Sequence, residues 1–255
     1  MTWENQKTEV KEQEKPKIKF KLLKEAKENR GLKVLSYGNF STGKTHFALS
    51  SPKPVYIIDT ENGASPLADK FPDANIINIS NIDNDNVEEN DEVKNYENYI
   101  DIINYLCSLP DNEVKTIIID SISDVWEWCQ AYGKIKVFKI SSEYRLKQQW
   151  DWATIFKLYL TPLKKLINKN CDLIIIAREG EIYEGVGKPS GRFEPKCMKK
   201  TPYWVDVVLY HEMKFINKQL QFQTKIIKCR HNEKAIGKII INPTLEKIKQ
   251  TINEK

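Results

Sequence analysis

Residues 38–45 read Gly38-Asn-Phe-Ser-Thr-Gly43-Lys44-Thr45, with two glycines, a lysine and a hydroxyl at the spacing of a phosphate-binding loop. The residue types state the chemistry. A tight glycine turn aims successive backbone N–H groups at an anion, and a helix starting behind it adds partial positive charge. Lys44 is placed to reach the β- and γ-phosphates of a nucleoside triphosphate, and the Thr45 hydroxyl to ligate Mg²⁺. Gly38, Asn39, Phe40, Ser41, Thr42, Gly43, Lys44, Thr45 and His46 are therefore the expected nucleotide contacts, with ATP and Mg²⁺ as ligands.

Phosphate binding becomes phosphoryl transfer only with further groups. A second metal-site carboxylate is needed at the end of another buried strand. Asp120 closes the apolar run Thr116-Ile-Ile-Ile119 and is the candidate; the competing role is to cap the helix that follows. Glu61, in Asp59-Thr60-Glu61-Asn62-Gly63, either orients the attacking water or belongs to a turn. Arg178 ends the next strand, where it either meets the γ-phosphate or simply opens a loop.

These groups need a scaffold that brings strand ends to one edge. The chain supplies buried apolar runs at 32–37, 55–59, 114–120 and 172–177, with a shorter one at 75–79. Helical periodicity runs over 96–109 and 150–168, and a terminal helix is expected over 244–252. After residue 178 a polar loop is expected to run to Thr201. Residues 205–210 and 220–227 alternate more and flank a Lys-Gln turn, which is hairpin grammar. The pattern predicts an α/β fold: a mostly parallel sheet covered by helices on both faces, with a C-terminal antiparallel extension. Residues 1–17 are nearly all polar and read as a disordered arm, leaving 18–255 as one domain, with strand character over 17–22 and a helix over 23–29.

The chain has 255 residues, of which 40% are hydrophobic, so a large core is affordable. No apolar run approaches the ~20 residues that span a bilayer, and the start lacks the apolar stretch of a signal peptide. A cytoplasmic protein without membrane contact is expected. The five cysteines form no C-x-x-C pair and read as reduced, structural residues. A net charge of +5, with the acids concentrated in 83–92, allows a nucleic-acid partner without requiring one. The best candidate contact is the glycine-bearing stretch 180–200, where Lys188, Arg192, Phe193, Lys196, Lys199 and Lys200 mix cations with a stacking aromatic. Its glutamates argue for an ordinary mobile loop instead. A second basic, aromatic stretch lies at 134–147.

Several segments resemble a known family. Asp59-Thr-Glu resembles the corresponding segment of archaeal RadA recombinases, and Ile118-Ile-Asp120-Ser121 the metal-binding strand of RecA-fold proteins. Ile227-Lys228-Cys229-Arg230 resembles the Lys-x-Arg segment of RecA, RadA and KaiC. The ordered set, including Gln149-Trp-Asp-Trp and Thr201-Pro-Tyr-Trp-Val-Asp206, is similar to the small RecA-like ATPases of phages and archaeal viruses, some of them single-strand annealing proteins. The resemblance implies a RecA-like P-loop ATPase core that forms homo-oligomers with ATP at subunit interfaces. Lys44, Glu61 and Asp120 would act in cis, and Lys228 and Arg230 on a neighbour's γ-phosphate. It also implies single-stranded DNA as partner, in annealing, recombination or replication. The chain departs from the recombinases at Arg178-Glu179, where they carry glutamine or histidine. The alternative is an ATP-dependent assembly switch with no DNA role.

Overall fold

The computed structural model describes residues 20, 22, 30–79, 91–184 and 187–254. The expectations for the arm at 1–17, for strand and helix over 17–29 and for most of the acidic stretch 83–92 lie outside these residues.

Six strands build the parallel part of the sheet: β1 (Lys33–Gly38), β2 (Val55–Asp59), β3 (Ala74–Asn78), β4 (Thr116–Asp120), β5 (Asp172–Tyr183) and β7 (Val207–Ile216). β6 (Pro189–Pro195), β8 (Gln219–Cys229) and β9 (Ile239–Ile241) complete it. The order is β3-β2-β4-β5-β1-β7-β8-β9, with β6 paired to the far half of β5. All pairings from β3 to β7 are parallel, and β8 and β9 add antiparallel strands.

Both faces of the central strands are buried, which is why they read as unbroken apolar runs rather than alternating ones. One face, with Leu35, Ile58, Ile117, Ile119 and Ile175, packs on α2 (Asp91–Ser108), α3 (Ile122–Tyr132) and α4 (Gln149–Asn168). The other, with Val34, Ile57, Ile118 and Ile174, packs on α1 (Lys44–Leu49) and α6 (Leu245–Asn253). A short helix, α5 (Thr201–Trp204), links β6 to β7. Thr244 caps α6 by accepting the Lys247 N–H at 3.2 Å, as such residues do at helix starts.

The expected architecture is the observed one, with four local corrections. The stretch after Arg178 is not a loop: β5 continues to Tyr183 and pairs antiparallel with β6, Glu181 opposite Phe193. Its polar residues hid the strand because both faces of this hairpin lie outside the core. The β7–β8 turn is Asn217-Lys218, both with positive φ (51° and 64°), one residue earlier than the Lys-Gln position; such φ values suit the tight hairpin turn. β7 itself is parallel to β1, so the antiparallel extension begins only at β8. Finally, α2 starts at Asp91, five residues before the apolar periodicity becomes visible.

The Ile175 side chain is fully buried in β5, between β4 and β1. Ile175→Ala should therefore lower stability by about 2–5 kcal/mol, the range for large-to-small core changes, measured by urea unfolding without nucleotide. A loss below ~1 kcal/mol would contradict the double-sided burial of β5.

Candidate functional site

The parallel register sets strand ends side by side. Gly38 pairs with Arg178, and Asp59 with Asp120, so four predicted positions fall on one edge of the sheet. Gly38 and Gly43 are glycines for separate reasons. A Cβ on Gly38 would sit 2.3 Å from the His211 carbonyl of β7. Gly43 adopts a left-handed φ of 81° as α1 begins, which a side chain would strain.

Behind the loop, the Lys44 ammonium donates to the carbonyls of Gly38 and Asn39 at 3.0 and 2.6 Å. Burial pulls its pKa down, and the nearby carboxylates of Asp120, Glu61 and Glu179 oppose that. The Thr45 hydroxyl donates to Asp120 Oδ2 at 2.6 Å. Burial pushes the Asp120 carboxyl up to about 6; the Thr45 hydrogen bond opposes the shift, while Glu61 and Asp59 add to it. These residues, with Ser41, Ser121, Arg178 and Glu179, line a cleft of about 360 Å³.

Asp59-Thr60-Glu61 divides its labour. The buried Asp59 carboxylate accepts N–H groups from Glu61, Gly63 and Ala64 at 3.1, 3.2 and 2.9 Å and so folds the turn. Thr60 accepts the Ser121 N–H at 2.7 Å and donates to Asp124 at 2.6 Å, tying this turn to the end of β4. Glu61 is left facing the cleft, where the Arg178 guanidinium holds it at 2.8 Å and Asp124 at 2.6 Å. That triad was not legible beforehand: Asp124 stands in the first turn of α3, but nothing local announces a partner 54 residues away. Glu179 also lines the cleft, with its Oε2 buried and lacking a hydrogen-bond partner among the described residues.

The other candidates lie elsewhere. Phe40 is exposed at the loop tip, and the His46 ring packs edge-on against Phe71, 5.0 Å between centroids. Lys228 and Arg230 stand at the opposite edge. Cys229 pairs with Val207 at the start of β7, four positions from His211 beside Gly38; at ~3.3 Å per residue that is roughly 13 Å along the sheet. Lys228 donates to the carbonyls of Pro202 and Val205 at 2.5 and 2.7 Å, and Arg230 to Tyr203 O. Neither reaches this chain's own cleft. Lys188, Arg192, Phe193 and Lys196 are on the β5–β6 hairpin, where Arg192 pairs with Glu184 and Lys196 with Glu127 on α3. Lys199 and Lys200 come after it, and Lys200 lines a different cavity. All five cysteines are free.

A protein-family model described as an AAA domain matches residues 30–239. The chain belongs to this family. ATP binding by an ATPase-type domain follows at that coarse level, and the loop and its strand-end acid are where this AAA-domain chain would place it. None of the curated proteins compared with the chain matches it. Among solved structures, a KaiC-like protein from the hyperthermophilic archaeon Pyrococcus horikoshii OT3 is 16% identical, covering 84% of this chain and 90% of its own, with a TM-score of 0.48. No described helix is long and apolar enough to cross a membrane.

The donor set fits Mg²⁺, a hard cation that prefers oxygen ligands: a hydroxyl and a carboxylate already 2.6 Å apart. Because burial raises the folded pKa of Asp120 from 3.8 to about 6, stability is lost as pH rises through that window, and the full cost of its charge is present above about pH 6. Asp120→Asn should then stabilise the nucleotide-free AAA-domain chain by roughly 1–3 kcal/mol at pH 7.5, with the gain fading as pH falls towards 4. The same variant should lose Mg²⁺-dependent ATP turnover. Paired thermal melts across pH check the first result; destabilisation at pH 7.5 would remove the buried-charge account.

Proposed function

We propose that this chain is a RecA-like, Mg²⁺-dependent ATPase that works as a homo-oligomer on single-stranded DNA, in annealing, recombination or replication. The observation that carries the catalytic half is the convergence of Thr45 and Asp120 at 2.6 Å beside Lys44, with Glu61 across the same cleft. Lys44 would exchange its two carbonyl partners for phosphate oxygens, a change from neutral to charge-assisted hydrogen bonds. Thr45 and Asp120 would hold Mg²⁺, which, when bound, offsets phosphate charge. Glu61 would orient the water once the incoming phosphates compete for Arg178.

Assembly is supported by what the cleft lacks. Lys228 and Arg230, the pair that the resemblance sets on a γ-phosphate, sit on the far edge of the sheet, so the nucleotide they would serve is a neighbouring chain's. A positive group supplied in trans raises phosphoryl-transfer rates by about 10³ or more. DNA is the least supported element. The hairpin residues 178–196 carry four cations (Arg178, Lys188, Arg192, Lys196) and four glutamates (179, 181, 184, 194), a net charge of zero. That balance keeps alive a second reading, an ATP-dependent assembly switch indifferent to DNA.

Steady-state ATPase rate against protein concentration, with and without a single-stranded oligonucleotide, separates the two. A rate per chain that rises with both supports the full proposal; a rise with concentration alone selects the switch. Lys44→Ala should abolish ATP binding, and retained affinity would refute the loop assignment. Arg230→Ala should keep ATP binding and lose about 10³ in turnover; unchanged turnover would return Arg230 to a purely structural role.

A further inference from the structure

The β7–β8 hairpin stands taller than the sheet that carries it. β1 ends at Gly38, opposite the neighbour of Glu212, and β9 pairs with β8 only over Gln223–Lys225. Among the described strands, residues 212–222 therefore pair only with each other, beyond the carboxyl edge. Met213 lies opposite Phe222, and Phe215 opposite Leu220, which puts all four side chains on one face. His211 belongs to the same face, and its ring meets Phe47 of α1 at 5.1 Å between centroids. The apolar face is thus the one on which the phosphate loop and α1 lie. Its inner end touches the loop: a Cβ on Gly43 would sit 3.2 Å from the Phe222 ring. The Asn242 N–H, donating to the Phe222 carbonyl at 2.7 Å, fixes that end. Exposure then climbs outward, from half-buried Phe222 through Met213 and Leu220 to Phe215, which is 75% exposed. The opposite face carries Glu212, Lys214, Ile216 and glutamines 219, 221 and 223, and Gln223 is only 6% exposed. A strand of alternating character ordinarily hides its apolar face; this hairpin leaves that face open.

Resting on ATP binding at the phosphate loop, we propose that this face is the shelf for the base of the bound nucleotide. Phe215 and Leu220 supply its stacking surface, and Phe222 sets its place beside the loop. Lys44, Thr45 and the loop N–H groups are suited to the phosphates and offer the base nothing apolar. Ligand sites combine such polar anchors with hydrophobic and aromatic walls. The shelf begins where the phosphate site ends, since Phe222 lies against Gly43. Leu220 is two residues, roughly 7 Å, farther along β8. No charged side chain lies on this face between residues 212 and 222, so it suits a neutral aromatic ring and repels nothing. A base laid on it gains ring contact from Phe215 and sulfur contact from Met213. Without a side-chain donor or acceptor on the face, the base is held by stacking rather than read at its hydrogen-bonding edge.

Isothermal titration of the full-length chain with ATP and, separately, with inorganic tripolyphosphate, both with Mg²⁺, tests the shelf. The second ligand keeps the phosphates and lacks the base, so the ratio of the two affinities isolates what the base contributes. Phe215→Ala should lower that ratio by roughly 5- to 150-fold, the span of one lost base stack, with tripolyphosphate affinity kept within about twofold. Leu220→Ala should lower it in the same direction. Gln221→Ala, on the opposite face, should leave the ratio at its wild-type value. Retained tripolyphosphate binding shows that each variant still folds. An unchanged ratio in Phe215→Ala, whether both ligands weaken equally or neither does, overturns the shelf while the loop assignment stands. If that variant also loses the concentration dependence of ATP turnover, the face is an interface between copies. A wild-type chain that binds neither ligand overturns the shelf and the phosphate loop together.

Discussion

Double-sided burial of the central strands is the constraint on which the rest of this molecule depends. β1, β4 and β5 lie between two helical layers, so their interior positions are nearly all apolar, with Ser36 the exception, and each fully buried apolar side chain contributes about 1.5–3 kcal/mol. Polar chemistry is thereby concentrated at strand ends. Parallel pairing then puts every C-terminal end on the same side, and the register aligns Gly38 with Arg178 and Asp59 with Asp120. The cleft is thus a by-product of how the core must be filled, the general reason ligands gather at the carboxyl edge of such sheets.

The opposite edge solves a different problem with the same residue types. There the strand ladders begin, and their first N–H groups need acceptors that the sheet does not supply. Asp172 accepts the Leu32 N–H at 2.8 Å, and Asp206 the Lys33 N–H at 3.1 Å. Lys33, fully buried, caps the α4–β5 turn by donating to the carbonyls of Lys169 and Cys171 at 2.8 and 2.5 Å, and burial lowers its pKa. These charges hold backbone in place. Both carboxylates also reach surface cations: Asp172 accepts from Lys249 at 2.6 Å, and Asp206 pairs with Arg30 and Arg230. A carboxylate retained for strand geometry has therefore also fixed the direction of surface cations.

The sequence made the central elements legible because local and global signals agree there: continuous β-branched runs, glycines at the loop and a capped terminal helix. Thr45 and Asp120 were legible for the same reason, since a motif and a strand end each fix a position. What escaped was carried by long-range pairing. Arg178 could not be matched with Glu61 and Asp124 from spacing, because their proximity follows from β5 lying beside β4. Residues 179–195 read as a loop because their polar composition masks a hairpin supported only by its own ladder. The cavity at the other edge of the sheet was invisible for a similar reason: its lining residues Arg30, Lys169, Lys200 and Arg230 span 200 positions, and only the strand order collects them. The basic stretch 180–200 was a unit in sequence and is not one in space.

Electrostatics of the cleft explain how one arrangement can serve both the empty and the occupied state. Glu61 and Asp120 line it with the cations Lys44 and Arg178, while Asp59 folds the turn that carries Glu61 and Asp124 holds Arg178. Three backbone N–H groups stabilise the Asp59 carboxylate, and burial weakens the acidity of Asp120, opposed by its hydrogen bond from Thr45. Arg178 balances the remaining pair, Glu61 and Asp124. A triphosphate entering this site competes for both cations at once. Lys44 gives up only neutral carbonyls, so its transfer is favourable. Arg178 must loosen its hold on a carboxylate, and Asp124 keeps its own bonds to Thr60 and Ser121. Glu61 has no comparable second partner among the described side chains. On the proposed reading, the partner freed by phosphate is therefore Glu61, which would then be open to water.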